Sequence, residues 1–444
     1  MRYHLVTLGC PKNVADSEKL ERLLREAGHE ATSFVRAEMV IVNTCSFIDA
    51  AKEESVNTIL RLAARKRPGQ RLVVAGCLPE LYGKELAKEI GQIDHLFGVE
   101  AWEKIAALRE NGTPTGKGLP DTSPPLRVSA YLKIADGCNA RCAFCLIPHI
   151  KGRLHSAPIE SLVAEAQRLV REGAQELVLV AQDSTAYGQD LGMRDGLAQL
   201  LEQLARNVPD VPWLRVMYAY PGHISRRLIE VMAGLPQVCH YLDIPLQHSS
   251  PAVLRRMRRP SDVAEVRRTL ERLRSAMPEI ALRTTFLVGF PSESEDDFRG
   301  LLDFVREVRF DHVGAFPFSP QPGTEAARLP DQVPERVKRR RYRELMETAQ
   351  GVSWERNREW LGREMTMLVE SKPEKAGPEE PVFAGRSYRD APEIDGMVFC
   401  SGTAAPGEMR RVRITQALPY DLVALPADVP ATEDRFYSAS NNSI

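Results

Sequence analysis

Three cysteines within eight residues constrain this chain more than any other feature of its sequence. Cys138, Cys142 and Cys145 follow the spacing C-x-x-x-C-x-x-C. Thiolates are soft ligands that suit iron–sulfur clusters and zinc. A closed structural site needs four protein ligands, whereas this loop offers three, with His149 as the nearest further candidate. An open metal position is typical of catalytic sites, so the loop predicts a redox cluster with one free iron. The alternatives are a zinc site completed by His149 and a chance group of buried cysteines.

Size and composition describe an ordinary globular protein. The chain has 444 residues, enough for about three domains, with 43% hydrophobic and 27% charged residues. No apolar run approaches the length of a membrane span, and Met1–Leu8 is too short and too quickly polar for a signal peptide. We therefore expect a cytoplasmic protein with no membrane partner, in which thiols stay reduced. A net charge of −1 gives no overall attraction to nucleic acid.

Residues 1–111 alternate short apolar runs with helical patterns, which predicts a small parallel α/β layer of the Rossmann or flavodoxin type. Each of three predicted strands is followed at once by a cysteine: Cys10, Cys45 or Cys77. Because the carboxyl ends of parallel strands lie at one edge of a sheet, topology should bring the three thiols together. Three packed core thiols are the alternative to this second open cluster. The predicted strands are Tyr3–Leu8, Met39–Val42 and Leu72–Ala75, and the predicted helices are Ser17–Ala27, Asp49–Ala64 and Leu81–Glu89.

Residues 124–356 follow a linker-like stretch at 111–125 and contain regular strand–helix units. Six units are too few for an eight-stranded barrel and indicate a partial, open parallel barrel. Chemistry in such barrels lies at the carboxyl ends of the strands, and the cysteine loop directly follows the first strand. Gln182, Gln247 and Thr285 lie at or near the ends of later strands, where polar residues suit a cofactor. The predicted strands are Ser129–Ala135, Glu176–Ala181, Leu214–Ala219, Val238–Leu246, Ala281–Val288 and His312–Phe318.

Two basic runs stand out in this region, at residues 255–259 and 338–341. A charge run on a helix is usually a solvated face, and contact with RNA phosphate is the functional alternative. We expect solvated faces for both runs.

Residues 359–426 switch to period-two apolar runs punctuated by Gly and Pro, which predicts a small five-stranded barrel of the oligonucleotide-binding kind. Residues 361–426 contain 8 Lys and Arg against 10 Asp and Glu. A phosphate-binding surface should be basic, so a basic protein partner is favoured at least as much as RNA. The polar tail from Ala427 is expected to be disordered. The predicted strands are Met365–Val369, Val382–Ala384, Met397–Cys400, Arg411–Ile414 and Asp421–Val423.

The cysteine loop, with Phe144 before its last cysteine and a partial barrel behind it, resembles the radical S-adenosylmethionine superfamily. The order of the parts is similar to that of the methylthiotransferases from residue 1 to about 425. In that family a radical domain lies between three N-terminal cysteines and a TRAM domain. Residues 7–13, 180–188 and 385–396 resemble the branch that modifies ribosomal protein S-twelve. The tRNA-modifying branch usually has Gln-Met where this chain has Pro11 and Lys12.

The resemblance implies a Rossmann/flavodoxin-like domain at 1–111, a TIM-like (βα)6 radical barrel at 124–356 and a TRAM domain at 359–426. It implies methylthiolation of the β-carbon of an aspartate in protein S-twelve, whether free or in the small ribosomal subunit. Two 4Fe–4S clusters and S-adenosylmethionine are the implied cofactors, together with an unidentified electron donor. The implied ligands of the first, catalytic cluster, which binds S-adenosylmethionine, are Cys138, Cys142 and Cys145. Those of the second are Cys10, Cys45 and Cys77. The expected cofactor contacts are Phe144, Gln182, Gln247 and Thr285.

Two other functions stay open at this stage. The same machinery could methylthiolate a modified adenosine in tRNA, although tRNA is not the expected partner. A non-enzymatic iron–sulfur or zinc scaffold on the ribosome is the second alternative. Three stretches depart from the family's usual residues: Lys151-Gly152, Ser156-Ala157-Pro158 and Pro291-Ser292-Glu293-Ser294. Cys239 and Cys400 lie in strand patterns and are expected to be packed thiols.

Overall fold

The computed structural model describes residues 1–99, 101–108, 128–372 and 381–429. The linker predicted at 111–125 lies outside these residues, as does the tail beyond residue 429. The domain boundaries placed at 111 and 124 therefore stay a prediction. No helix in the described ranges is long and apolar enough to cross a membrane.

The N-terminal sheet is parallel, with the strand order β2-β1-β3-β4-β5 of flavodoxin-like folds. Val40 and Val42 pack on one face and Ile41 and Val73 on the other, so the central strands read as continuous apolar runs. The strands are β1 Arg2–Thr7, β2 Glu30–Ala31, β3 Met39–Thr44, β4 Arg71–Gly76 and β5 His95–Phe97. The helices are α1 Pro11–Glu26, α2 Asp49–Ala64, α3 Cys77–Glu89 and α4 Trp102–Ala106.

Two helices of this domain begin earlier than predicted. Helix α1 starts at Pro11 rather than Ser17, and α3 starts at Cys77 rather than Leu81. Proline suits the first turn of a helix because its missing N–H would be unpaired there anyway. Both helices therefore start at or directly after a strand-end cysteine, which places each thiol at a helix N-terminus.

The central sheet is a partial parallel barrel, as predicted. Its described strands run in the order β13-β12-β11-β10-β9-β6, and β6 and β13 form open edges. Leu177 and Leu179 pack outward against the surrounding helices. The strands are β6 Ser129–Lys133, β9 Glu176–Val180, β10 Trp213–Val216, β11 Val238–Asp243, β12 Ala281–Val288 and β13 His312–Pro317, with a short ribbon of β7 Ala135–Asp136 and β8 His155–Ser156. The helices are α5 Ile147–Ile150, α6 Ile159–Arg171, α7 Gly196–Asn207, α8 Arg226–Gly234, α9 Pro251–Arg256, α10 Val263–Ala276, α11 Glu295–Val308 and α12 Glu335–Arg358.

The C-terminal strands close into a small barrel, which confirms the predicted five-stranded architecture. The strand order is β14-β15-β16-β18-β17, and Cys400 is fully buried in its core. Cys239 is likewise buried, inside the central barrel, so both remaining cysteines are packed thiols as expected. The strands are β14 Glu364–Val369, β15 Val382–Ser387, β16 Val398–Ser401, β17 Met409–Ala417 and β18 Leu422–Pro426.

All three parts of the chain contribute to the inner core of the central barrel. Val178 and Tyr241 line this core from barrel strands. Ala15 enters from α1, and Leu368 and Ala391 enter from the C-terminal barrel. Residues from the two flanking domains therefore fill the interior of the open barrel, where a complete barrel would have further strands of its own.

A buried ionic contact joins the C-terminal barrel to the start of β9. Glu176 accepts hydrogen bonds from Arg215 Nε at 2.6 Å and Arg386 Nη2 at 2.5 Å. Glu176 and Arg215 are fully buried. Burial alone would raise the pKa of Glu176, but Arg386 and Arg215 lower it from 4.5 to about 2. Strand β15, which carries Arg386, is thereby fixed to the amino-terminal end of the central barrel.

Glu176→Gln should lower the free energy of unfolding by about 3–5 kcal/mol, because the buried Arg215 loses its counter-charge and Arg386 keeps only Glu370. Denaturant unfolding of the metal-free chain measures the change. The control is Glu38→Gln, which removes a partly exposed pair with Arg2 and should cost less than about 1 kcal/mol. Since the folded pKa of Glu176 is depressed, its contribution is present above pH 4.5 and is lost as the pH falls toward 2. The difference in free energy of unfolding between the native chain and Glu176→Gln should shrink over that pH window. A difference that stays constant with pH would contradict the assignment.

Candidate active site

The Cys138–Cys145 loop begins directly after the short strand β7 and returns into α5. Gly137 has φ +70°, and a Cβ there would lie 2.0 Å from the carbonyl oxygen of Arg153, so only glycine fits. The backbone N–H groups of Ala140 and Ile147 donate to the sulfur atoms of Cys138 and Cys145, each at 3.4 Å. Such donors stabilise negative charge on thiolate ligands and tune cluster potentials.

The three thiols of this loop are partly buried and line a cavity of about 780 Å³. Burial raises the pKa of Cys145 to about 12, with smaller contributions from neighbouring Cys142 and Cys138. A bound cation is what favours the thiolate form in such a place, because coordination deprotonates a thiol. The donor set therefore fits an iron–sulfur cluster. His149 is exposed on α5, and within the described ranges no three His, Cys, Asp or Glu side chains are arranged to hold a single metal ion.

The N-terminal cysteines lie at one edge of their sheet, where sequence reasoning placed them. Cys10 follows β1 and Cys45 follows β3, while Cys77 opens α3 directly after β4. A Cβ at Gly9 would lie 2.5 Å from the Cβ of Cys45, so the chain can approach this closely only with glycine. Burial raises the pKa of Cys77 to about 12, with smaller contributions from Cys45 and Cys10. This second thiol set fits iron for the same reason as the first.

The two domains that carry the cysteine sets are in contact beside Cys77. Cys77 packs against Leu146 and Ile150, which directly follow the Cys138–Cys145 loop. Helices α3 and α5 are correspondingly in contact. The strand-end edge of the first domain therefore abuts the cysteine loop of the second.

Four charged residues, here called the interdomain ion cluster, hold this boundary together: Asp16, Lys133, Asp136 and Lys151. Lys133 pairs with Asp16 and, at 2.9 Å, with Asp136, whereas Lys151 reaches each of the two carboxylates at 3.1 Å. Burial would raise the pKa of Asp136, but Lys133 and Lys151 hold it well below its usual value. Asp16 belongs to the helix that follows Cys10, and Asp136 directly precedes the Gly137–Cys138 turn. The cluster thus ties one cysteine set to the other.

The four predicted cofactor contacts lie near the barrel mouth, and each makes different contacts with its neighbours. Gln182 donates to Asp136 at 2.8 Å, and its buried Oε1 has no hydrogen-bond partner in the described structure. Thr285 Oγ1 accepts from Arg283, and Gln247 takes a positive φ of 72° beside β12. Phe144 packs edge-on against Phe290, with ring centroids 6.5 Å apart. An unpaired buried acceptor needs a ligand or water, so Gln182 has the strongest structural case of the four.

The expectation that both basic runs are solvated faces is wrong in part. Arg255 is exposed, but Arg256 donates to the carbonyl oxygen of Ser292. Arg259 lies 3.9 Å from Cys142 Sγ and stacks on the ring of Tyr220. In the second run Lys338 and Arg341 are buried, and Arg341 pairs with the buried Glu293 at 2.8 Å. These arginines satisfy carbonyl, carboxylate and sulfur acceptors of neighbouring loops, which a charge run alone does not reveal.

Sequence reasoning also missed Lys12. Its ammonium lies 3.6 Å from the centroid of the Tyr218 ring, which belongs to the barrel. Tyr218 has φ +60°, a left-handed conformation that is rare for a bulky residue and concentrates at functional sites. The available signal was the position of Lys12, two residues after Cys10. Because Lys12 lies in the first turn of the helix that follows Cys10, the two residues must reach the barrel mouth together.

Comparison with known proteins follows this architecture. The family model described as Uncharacterized protein family UPF0004 matches residues 2–98, the Radical SAM superfamily matches 132–305, and the TRAM domain matches 361–426. A Chloroflexus aurantiacus protein named ribosomal protein uS12 methylthiotransferase RimO is 48% identical over 95% of this chain and 99% of its own length. The protein of the same name from Moorella thermoacetica is 47% identical over 94% of this chain and 97% of its own length.

The chain belongs to the RimO family. Membership makes it a radical S-adenosylmethionine methylthiotransferase, a class that implies a 4Fe–4S cluster and S-adenosylmethionine. Among solved structures, the radical methyltransferase TsrM from Kitasatospora setae with cobalamin and a 4Fe–4S cluster has a TM-score of 0.54 and 16% identity, covering 73% of this chain and 76% of its own. At that identity the likeness concerns the fold alone.

Asp16→Ala should loosen the contact between the RimO-type N-terminal domain and the barrel, because Lys133 and Lys151 each lose a buried partner. We expect the free energy that holds the two domains together to fall by about 3–5 kcal/mol. Limited proteolysis between the domains measures this loosening and should become faster. The far-UV circular dichroism should stay unchanged, because each domain remains folded. Glu103→Ala is the matched control, since it removes only the exposed pair, at 3.3 Å, between Glu103 on α4 and Lys19 on α1, the helix that also carries Asp16. Equal protease sensitivity of the two variants would contradict the role assigned to the interdomain ion cluster.

Proposed function

We propose that this chain methylthiolates the β-carbon of an aspartate in ribosomal protein uS12, using two 4Fe–4S clusters and S-adenosylmethionine. The observation that carries the proposal is that two three-cysteine sets lie on either side of one domain boundary, in a chain of the RimO family. A set of three thiolates on a four-iron cluster leaves one iron open. Two such sets side by side suit a reaction that needs both a radical source and a sulfur source.

When bound, the clusters and S-adenosylmethionine would supply the radical chemistry that an unactivated carbon–hydrogen bond requires. Cys138, Cys142 and Cys145 would hold the cluster at the barrel mouth. Cys10, Cys45 and Cys77 would hold the cluster at the sheet edge. The protein's further task is positioning, because the two sites must stay at a fixed separation throughout the reaction.

Side chains at the strand ends would orient the cofactor and exclude water. The unpaired Oε1 of Gln182 can accept a hydrogen bond from a cofactor amine. Gln247 and Thr285 lie farther round the same mouth, and Phe144 would shape the apolar wall beside the cysteine loop. The strained backbone at Gln247 supports a role in binding, since such strain persists where function requires it.

Most arginines of the C-terminal barrel are already paired with carboxylates, which favours a protein substrate over tRNA. Arg386 and Arg389 are buried and pair with Glu176 and Asp311 of the central barrel. Arg411 and Arg413, on strand β17, both pair with Glu364. Few free cations remain on the described surface of this barrel to bind phosphate, whereas an acidic balance suits a basic ribosomal protein.

Mass spectrometry of cells that lack their own enzyme tests the substrate. Expression of this chain should replace one hydrogen of an aspartate in protein uS12 by a methylthio group, with the corresponding gain in mass, while tRNA adenosines stay unchanged. A Cys138→Ala strain is the control and should leave uS12 unmodified. Modified tRNA with unmodified uS12 would favour the tRNA alternative.

Replacing cysteines by set tests the two clusters. Alanine at Cys138, Cys142 and Cys145 should remove about half the iron of the reconstituted protein and all release of 5′-deoxyadenosine. Alanine at Cys10, Cys45 and Cys77 should also remove about half the iron, yet spare 5′-deoxyadenosine release and abolish methylthiolation. Cys239→Ala is the matched control, because that thiol is buried away from both sets. Zinc in place of iron, without 5′-deoxyadenosine, would instead support the scaffold alternative.

A further inference from the structure

A lysine ammonium and a tyrosine ring from different domains face each other at the barrel mouth. Lys12 lies in the first turn of α1, and Tyr218 follows β10 of the central barrel. The ammonium lies 3.6 Å from the centroid of the ring. These two side chains, here called the mouth pair, come together only where the N-terminal domain meets the barrel.

The ammonium of Lys12 has no direct counter-ion. Lys12 is partly exposed, and within the described ranges it makes no hydrogen bond or ion pair. Among carboxylates, Asp243 and Asp136 act on its charge most strongly. Asp243 pairs directly with Arg283 at 2.9 Å, and Asp136 belongs to the interdomain ion cluster, in which two lysines balance two aspartates. A cation whose neighbouring carboxylates are engaged elsewhere is suited to bind a further one.

The tyrosine ring is a fixed platform for this cation. Tyr218 has φ +60°, which is rare for a bulky residue. Its N–H donates to Asp243 Oδ2 at 3.3 Å, and its carbonyl oxygen accepts from the N–H of Ser184 at 3.0 Å. Strained backbone persists where its surroundings fix it, and it is concentrated at functional sites. The ring attracts the ammonium but carries no charge of its own, so the ammonium keeps its attraction for an anion.

The mouth pair lies between the second cysteine set and the cofactor contacts of the barrel. The charge of Lys12 interacts with the sulfur atoms of Cys10 and Cys45. On the barrel side, Ser184 fixes the tyrosine and lies two residues after Gln182, whose buried Oε1 is unpaired. A ligand on the ammonium would therefore be close to both halves of the site.

Under the proposed function, on which this inference rests, the β-carbon of an aspartate reacts. That carbon is bonded directly to the carboxylate carbon of the side chain, so a group that fixes the carboxylate also positions the reacting atom. We propose that the mouth pair is a carboxylate-binding subsite, in which Lys12 binds the side chain of the substrate aspartate. Its charge would then select aspartate over the uncharged asparagine.

The amino-acid carboxylate of S-adenosylmethionine is the other source of the same chemistry at this mouth. The cofactor's expected place is the cluster held by the Cys138–Cys145 loop. Lys12 instead adjoins Cys10 and Cys45 of the other set. The substrate side chain is therefore the carboxylate that the position of the mouth pair favours.

The test compares two forms of recombinant uS12, one with the aspartate that the enzyme modifies and one with asparagine in its place. The readout is the Kd of each form for the full-length reconstituted enzyme. The unaltered chain should bind the aspartate form about tenfold or more tightly, because a charge-assisted hydrogen bond is lost with asparagine. In Lys12→Met, which keeps an unbranched side chain without the charge, the two forms should bind equally. Lys12→Arg keeps the charge and should restore most of the preference.

Lys19→Met is the matched control, since it removes the same charge from an exposed position on the same helix and should keep the full preference. Iron content and limited proteolysis between the domains show whether Lys12→Met is loaded and folded. The comparison of the two uS12 forms on the unaltered chain needs no enzyme variant. A purely structural contact between Lys12 and the ring would change the affinity for both forms alike, and an unchanged ratio of the two Kd values in Lys12→Met would overturn the proposal.

The Kd for S-adenosylmethionine distinguishes the two sources of a carboxylate. If Lys12→Met weakens binding of S-adenosylmethionine but keeps the preference for the aspartate form, the subsite holds the cofactor and the substrate assignment is overturned. Equal affinity of the unaltered chain for the two uS12 forms would also overturn it, while methylthiolation of uS12 by that chain would leave the proposed function standing. Failure of the unaltered chain to bind or modify uS12 would instead defeat the proposed function, and this inference with it.

Discussion

The interdomain ion cluster is the interaction on which the arrangement of the site depends. Lys133 and Lys151 each pair with both Asp16 and Asp136, so neither domain alone satisfies its own charges. Buried charges tolerate little displacement, because a lost partner leaves an uncompensated ion. Asp16 and Asp136 lie close in sequence to Cys10 and Cys138. The geometry demanded by the ions is thereby imposed on the two cysteine sets.

A second constraint acts from the opposite end of the barrel. The loop after β15 inserts Asp395, which accepts from the hydroxyl of Tyr241 at 2.7 Å and contacts Arg283. Glu176 and Asp311 bind arginines of the same region. These contacts close the amino-terminal end of the barrel and leave the carboxyl ends of its strands for chemistry. The C-terminal barrel therefore completes the fold of the central one, whatever else it binds.

The sequence predicted the sheets well because their signals are local. Apolar runs and helical spacing located β3, β12 and α2 within a few residues, and parallel topology alone placed three distant cysteines at one edge. The ion cluster could not be predicted, since pairing of Asp16 with Lys133 has no local signature. The same limit explains the basic run at 338–341, where helical spacing turns Lys338 and Arg341 inward while Arg339 stays exposed. A run of charged residues in the sequence does not show which side chains are exposed, because that depends on how the helix packs.

The two cysteine sets differ in a way that the proposed division of labour explains. Cys45 and Cys77 are buried, and Gly9 and Gly76 let the backbone close tightly around them. Burial protects reactive sulfur from water and from stray oxidants. The Cys138–Cys145 loop instead opens to a cavity of about 780 Å³, which leaves room beside its thiols for a cofactor. Cys10 is partly exposed like the three thiols of that loop, so only Cys45 and Cys77 of the second set are shielded. Cys77 owes part of its burial to Leu146 and Ile150, which follow the loop, so the domain boundary itself covers one thiol of the second set.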